Sequence, residues 1–180
     1  MVSEDQTTDK EGFTIRKLTA SDVDTLVSII KENLDSFEEA GSVLAATYRR
    51  LNQFWAVYSA KGAGYWLVTC KDSNEIAGGA GLGPFAGLSP SEKIGEIREL
   101  VISKEFRGRG AGKLILKHIL DHAFELGYQR VYLETTPQMQ MAQKLFTNFG
   151  FKPVAIEENT QDDQETPLPC YFMLDRGQEA

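Results

Sequence analysis

The stretch Leu100-Val101-Ile102-Ser103-Lys104-Glu105-Phe106-Arg107-Gly108-Arg109-Gly110-Ala111-Gly112-Lys113 decides how the rest of the chain is read. Its apolar start is the end of a strand that begins near Ile94. That strand runs directly into glycines 108, 110 and 112, and then into Leu114, Ile115, Ile119, Leu120, Ala123 and Leu126, a wide apolar face at helical spacing that Gly127 stops. The glycines let the backbone approach a ligand without Cβ obstruction. The helix start adds unpaired N–H groups and the positive end of a dipole. Between residues 104 and 117 there are five basic residues, Lys104, Arg107, Arg109, Lys113 and Lys117, against the single acid Glu105. The combination reads as a seat for a phosphate or pyrophosphate.

Spacing excludes two common phosphate loops. A P-loop needs G-x-x-x-x-G-K followed by Ser or Thr, and here Arg107 stands at the first glycine and Leu114 at the hydroxyl. The dinucleotide pattern G-x-G-x-x-G fails at Lys113 when started from Gly108, and at Ile115 when started from Gly110.

Outward from this stretch the chain alternates strands and helices. Upstream, Phe13–Leu18 has the β-branched and aromatic content of a strand, and Ser21 with Asp24 resembles a capping box for a helix that runs to about Glu32. A second helix is expected over about 41–53, followed by the aromatic stretch Phe54–Tyr58, read as core with a homodimer interface as the alternative. Tyr65–Cys70 and Glu75–Leu82 flank Asp72-Ser73-Asn74 as a hairpin. Downstream come a strand at about 129–135 and a helix opened by Pro137 and carrying Met141, Ala142, Leu145 and Phe149. Short strands at about 151–156 and 170–174 finish the chain around a polar loop.

The whole chain has 180 residues, 42% hydrophobic and 25% charged, about one domain of typical size. Residues 1–11 and 177–180 are read as tails and 12–176 as the domain. A formal charge of −7 argues against general affinity for nucleic acid or anionic membrane, so an anion must bind locally. The sequence has neither a signal-like start nor an apolar run of membrane-spanning length, and the expected location is cytoplasmic. Cys70 and Cys170 are too far apart for a thiol-rich metal motif. His118 and His122 lie four apart on one helix without an obvious third ligand, so no metal is expected.

Arg107-Gly108-Arg109-Gly110-Ala111-Gly112 resembles the acetyl-CoA motif R/Q-x-x-G-x-G/A of the GNAT superfamily of N-acetyltransferases. The likeness extends to Leu100-Val101-Ile102 upstream and to Ala142–Phe146 and Gly150-Phe151 downstream, covering about residues 94–174. It implies an α/β fold with a mixed, mostly antiparallel sheet of six to seven strands, flanked by helices on both faces. It also implies a CoA cleft where the fourth and fifth strands diverge. Acetyl-CoA would be the co-substrate, with its pyrophosphate on the backbone of Arg107–Lys113 and its pantetheine beside Leu100, Val101 and Ile102. The acceptor would be a primary amine of a small molecule or peptide, attacking directly in a ternary complex; a catalytically weak acyl-CoA-binding regulatory module is the alternative.

An amine needs a base, and Glu134 is the first candidate because its strand position resembles that of a glutamate used by some members. Glu99 and Glu96 come second, on opposite faces of their strand unless a bulge intervenes. Phe146 stands where many members carry a tyrosine acid, which leaves Tyr171 or Tyr132 as substitutes; Met139 replaces a frequent asparagine. The acidic loop Glu157–Asp163 suggests a cationic acceptor.

Overall fold

The computed structural model describes residues 12–34, 47–85, 92–155 and 170–177. Along the chain lie β1 (Phe13–Lys17), a 3-10 turn (Ala20–Asp22), α1 (Val23–Leu34), α2 (Phe54–Ser59), β2 (Gly64–Cys70), β3 (Ile76–Pro84) and β4 (Ile94–Ile102). A second 3-10 turn (Lys104–Phe106) precedes α3 (Ala111–Glu125), β5 (Arg130–Thr135), α4 (Gln140–Asn148), β6 (Lys152–Val154) and β7 (Cys170–Asp175). Residues 47–51 are also helical. The strands form one seven-stranded sheet in the order β1-β2-β3-β4-β5-β7-β6. β4 and β5 run parallel and the other neighbours antiparallel. No described helix is long and apolar enough to cross a membrane.

Both faces of the sheet are covered, which is why β2 is buried along its whole length. On one face Trp66, Val68, Leu82 and Ile97 pack with Ile115 and Ile119 of α3 and Phe146 of α4. On the other, Tyr65, Leu67 and Val101 pack with Leu26 and Ile30 of α1 and with Phe54 and Tyr58 of α2. The glycines of β3 make room for these rings: a Cβ on Gly79 would sit 2.5 Å from the Tyr65 ring, and one on Gly81 would sit 2.3 Å from that of Tyr58.

Local differences from the sequence reading have local causes. The first helix is opened at Thr19 rather than Ser21: the Asp22 carboxylate accepts from the Thr19 N–H at 2.9 Å and from its hydroxyl at 2.6 Å, and a 3-10 turn leads into α1. The aromatic stretch is itself a helix, burying Phe54 and Tyr58 while Trp55 remains 45% exposed. Pro137 lies in a turn closed by the Met139 N–H on the Thr136 carbonyl, so α4 starts at Gln140. The expected start of the second helix and the acidic loop Glu157–Asp163 lie outside the described residues, as do residues 1–11.

Candidate active site

The parallel pairing of β4 with β5 begins at Ile94 opposite Arg130 and ends at Ile97 opposite Leu133. β4 then continues to Ile102 and β5 to Thr135, so the two strands part and leave a cleft between them. One end of the cleft is the vertex at Ile97 and Leu133. The other is the turn that follows β4.

That turn is shaped by its glycines. Gly108 (φ +73°) and Gly110 (φ +90°) occupy the left-handed region that side chains resist, and a Cβ on either would meet nothing within 4 Å. Gly110 caps α3, whose first i→i−4 bond is the Leu114 N–H on the Gly110 carbonyl at 3.0 Å. The N–H groups of Ala111, Gly112 and Lys113 therefore have no partner inside the helix. An open, Cβ-free surface over such donors fits a pyrophosphate.

The basic side chains divide differently from the sequence reading. Arg107 folds back, donating from Nε to the Ile102 carbonyl at 3.0 Å and from its terminal nitrogen to Asn33 Oδ1. The Arg109 guanidinium lies 5.1 Å from the Phe13 ring centre and 5.4 Å from that of Phe106. Lys117 pairs with Asp121 at 2.6 Å, while Lys104 and Lys113 are exposed. Two of the five charges thus brace the turn, and its capacity for anions lies in backbone and dipole.

The middle of β4 carries a bulge. Gly79 pairs with Val101 and Gly81 with Arg98, so Ala80 is opposed by both Glu99 and Leu100, and Glu99 takes φ +43°. In an unbroken strand Ile97 and Val101 would share a face. Here Ile97 joins the α3 side and Val101 the α1–α2 side. The extra residue turns Glu99 to the same face as Glu96, so the two acids are not on opposite faces as plain alternation implies.

On that face the Glu99 carboxylate is fully enclosed, 2.6 Å from Arg50 Nε and hydrogen-bonded by the Tyr58 hydroxyl. Burial pushes its pKa up to about 7 against the opposing pull of Arg50. The hydroxyl of buried Tyr65, whose own ionisation burial pushes far up, donates to the Glu99 carbonyl at 2.8 Å and holds the bulge from behind.

Glu96 is engaged by Arg98 at 2.6 Å, and Arg98 also donates to the Pro84 carbonyl at 2.8 Å. Glu134 follows the vertex directly on β5. It lies 3.4 Å from the Tyr132 hydroxyl and opposite Tyr171 on β7. The Tyr132 ring contacts Phe85 at 4.4 Å and stacks on Tyr171 at 6.1 Å between centroids. Burial, and then the neighbouring Glu134, Tyr171 and Glu96, push the Tyr132 hydroxyl far above its ordinary pKa.

Glu134, Tyr171, Tyr132 and Glu96 thus share one patch at the vertex, with Glu99 locked on the same face and Leu100–Ile102 and the glycine turn along the cleft. Phe146 is buried against Phe151 and Phe172. His118 and His122 pack against Trp66, at 5.8 and 4.5 Å between ring centres, and Cys70 and Cys170 are free thiols. Sequence reading misses Arg50, Tyr58 and Tyr65, which meet Glu99 from 49, 41 and 34 positions away. No local pattern announces such partners.

A sheet that parts between parallel strands over a glycine-turned helix start defines a class of acyl-transferring enzymes, and the comparisons agree. Residues 26–151 match the Acetyltransferase (GNAT) family. The chain belongs to that family and is an acetyltransferase acting on an acceptor substrate. It is 29% identical over 143 residues to the uncharacterized N-acetyltransferase YjgM of Escherichia coli, covering 78% of this chain and 82% of the relative. It is 28% identical over 94 residues to N-acetyltransferase 8B of Rattus norvegicus, covering 52% of this chain and 41% of the relative. The fold is shared with an N-acetyltransferase from Staphylococcus aureus Mu50 (TM-score 0.74, 14% identity, 92% of this chain and 99% of that one). It is also shared with the ribosomal-protein-S5-alanine acetyltransferase of Vibrio fischeri (TM-score 0.71, 15% identity, 98% and 100%).

Proposed function

We propose that this enzyme moves an acetyl group from acetyl-CoA to a primary amine of a small molecule or peptide, by direct attack in a ternary complex in the cytoplasm, where free Cys70 and Cys170 stay reduced. The observation that carries the reading is the cleft between β4 and β5, with the glycine turn at one end and Glu134 at the other. Within Arg107–Lys113 the Arg107 N–H is taken by the Lys104 carbonyl, so the N–H groups that follow it, those of Ala111, Gly112 and Lys113 above all, would hold the pyrophosphate, and the open edge of Leu100, Val101 and Ile102 would line the pantetheine. An N–H on that edge, set beyond the bulge, meets the thioester oxygen as negative charge builds on it. Acetyl-CoA supplies the activated acyl group and a thiol leaving group with a pKa of about 8.5.

The acceptor sets the need for a base. An alkylamine with a pKa of about 10.4 costs roughly 4.6 kcal/mol to hold as the free base at pH 7. Glu134 takes this proton: it is only partly buried and adjoins the vertex, whereas Glu99 is enclosed by Arg50 and Tyr58 and Glu96 is held by Arg98. Tyr171, opposite Glu134, is the neighbouring hydroxyl that passes protons at the site. Phe146, buried among aromatic rings and lacking a hydroxyl, favours a second reading as a weakly catalytic acyl-CoA-binding module.

Thiol release from acetyl-CoA, measured across a panel of amines, tests both readings. Glu134→Gln should lower kcat by roughly 10²–10⁴-fold and leave CoA binding near wild type. A variant as active as wild type removes Glu134 from the mechanism. Tight CoA binding without turnover of any amine leaves only the binding module.

A further inference from the structure

Three arginine–carboxylate pairs lie among the described residues, and one of them is lopsided. Arg16 sets two nitrogens on Asp22, each at 2.7 Å. Arg98 sets Nε and a terminal nitrogen on Glu96, at 2.7 and 2.6 Å, and donates to the Pro84 carbonyl as well. Arg50 reaches Glu99 with Nε alone, at 2.6 Å. Its Nη2 stands 3.5 Å from the Thr47 hydroxyl, at the outer limit of a hydrogen bond, and its Nη1 meets no acceptor among the described residues.

Glu99 does not fully balance this cation. Its carboxyl, enclosed with Tyr58, is raised by burial to about 7, whereas a guanidinium stays charged at any ordinary pH. The Arg50 side chain is 24% exposed where that of Glu99 is 0%, so the pair presents its arginine outward. The strands define where. Glu99 lies two residues past the last pair of β4 with β5, and Arg50 comes from helical residues 47–51 onto the face that Glu99 shares with Glu134. Neighbouring strands are about 5 Å apart where pairing ends. Arg50 over β4 and Glu134 on β5 thus set a cation and a carboxylate on the two sides of the opening. Arg98 takes no part in this, since it turns over β3, where a Cβ on Gly83 would lie 2.9 Å from its Nη1.

We infer that Arg50 is a specificity-determining residue, which receives the carboxylate of an amino-acid acceptor whose amino group lies at Glu134. The inference deepens the acetyl-transfer reading above and rests on it. A guanidinium offers parallel N–H donors that match the two oxygens of a carboxylate, and such charge-assisted bonds are the stronger ones. The two sides of the opening then complement the two charges of a zwitterion. An amine without a carboxylate leaves the Arg50 donors unspent in a site that the acceptor has dried. A peptide amino terminus carries an amide where the carboxylate would be. Both are disfavoured on that account.

The test measures kcat and KM of the full chain with acetyl-CoA for the common amino acids, each beside its amide and the amine left by removing its carboxylate, as leucine beside leucinamide and 3-methylbutylamine. Wild type should favour the free acids. Arg50→Gln should lower kcat/KM for the acids about 10–100-fold, chiefly through KM, and leave the amides and decarboxylated amines near their wild-type values. Arg50→Lys, which keeps the charge without the fork, should recover part of the loss. Each ratio compares one acceptor between two proteins, so the differing pKa values of the amines cancel. Glu99→Gln keeps Arg50 and should keep the preference, whereas Arg50→Gln combined with Glu99→Gln, which buries no unpaired carboxylate, should lose it. That double variant carries the comparison should Arg50→Gln alone not fold. An equal fall for all three kinds of acceptor overturns the inference, by showing that Arg50 serves the fold through Glu99. Wild-type protein that acetylates no amine at all removes the acetyl-transfer reading as well, whereas acetylation of amines with no preference for a carboxylate removes this inference alone.

Discussion

Glu99 shows how one residue can carry both fold and chemistry. It is a charged residue in the left-handed region, at a bulge, with its carboxylate sealed under Arg50 and Tyr58. Burial raises its pKa from an ordinary 4.5 to about 7, so the folded state binds its proton more tightly than the unfolded state does. The stabilisation this gives is complete below the unfolded value and is lost as pH rises through about 7. Over that window the slope amounts to roughly 3 kcal/mol. Thermal melts from pH 5 to pH 8 should therefore show the wild type losing stability faster than Glu99→Gln, which cannot ionise. Parallel slopes would mean that Glu99 is ionised throughout. If Glu134 is the base, Glu99→Gln should also keep the pH dependence of kcat, since its carboxylate meets Arg50 and Tyr58 rather than the acceptor.

At the scale of elements, what the sequence declared and what it hid divide by range. The strand, glycine turn and helix over residues 94–125 are legible because each signal is local: an apolar run, glycines that permit positive φ, a 3.6-residue stripe. The hairpin around Asn74 is legible for the same reason, its turn taking φ +60° at an asparagine. The bulge in β4 is not, because it is set by what α2 and β2 press against it from distant parts of the chain. For the candidate site, the glycine turn before α3 and the place of Glu134 on β5 are legible beforehand; the enclosure of Glu99 is not. Gly81 is the seam between these elements, since a Cβ there would come 2.3 Å from the Tyr58 ring and 2.7 Å from its hydroxyl oxygen. Gly81→Ala should cost about 1–3 kcal/mol in denaturant unfolding by forcing Tyr58 off the sheet and away from Glu99. The cost should shrink by at least about 1 kcal/mol in a Tyr58→Ala background, where nothing is left to collide. Additive losses would show that the ring and the glycine do not meet.

For the whole molecule, the decisive feature is that the sheet is two sheets joined at a narrow waist. β1 to β4 form one half and β5 to β7 the other, and among the described residues the strands are tied by a short run, from Ile94 opposite Arg130 to Ile97 opposite Leu133, extended by the Gln129 and Arg130 N–H groups on the Lys93 carbonyl. α3 and α4 bridge the halves on one face, but beyond Ile97 the strands contribute edges rather than bonds. A ligand that fills the cleft acts as the missing pairing partner. It binds the folded state alone, so CoA at about 100 times its Kd adds about 2.7 kcal/mol, several degrees of Tm for a domain of this size. ATP shares the phosphates but has no arm to lie along Leu100–Ile102, and should raise Tm far less. In Gly110→Asp a side chain is forced to φ +90°, a strain that aspartate bears better than most residues, and a carboxylate then stands where the pyrophosphate belongs. That variant should melt below the wild type without ligand, and should lose the further rise that CoA gives the wild type. Hydrogen exchange locates the effect: protection gained on adding CoA should fall on Leu100–Ile102 and on the end of β5, not evenly over the sheet. A rise that survives in Gly110→Asp, or protection confined to β1–β3, would place the ligand outside the cleft and undo the link between the parted strands and the chemistry.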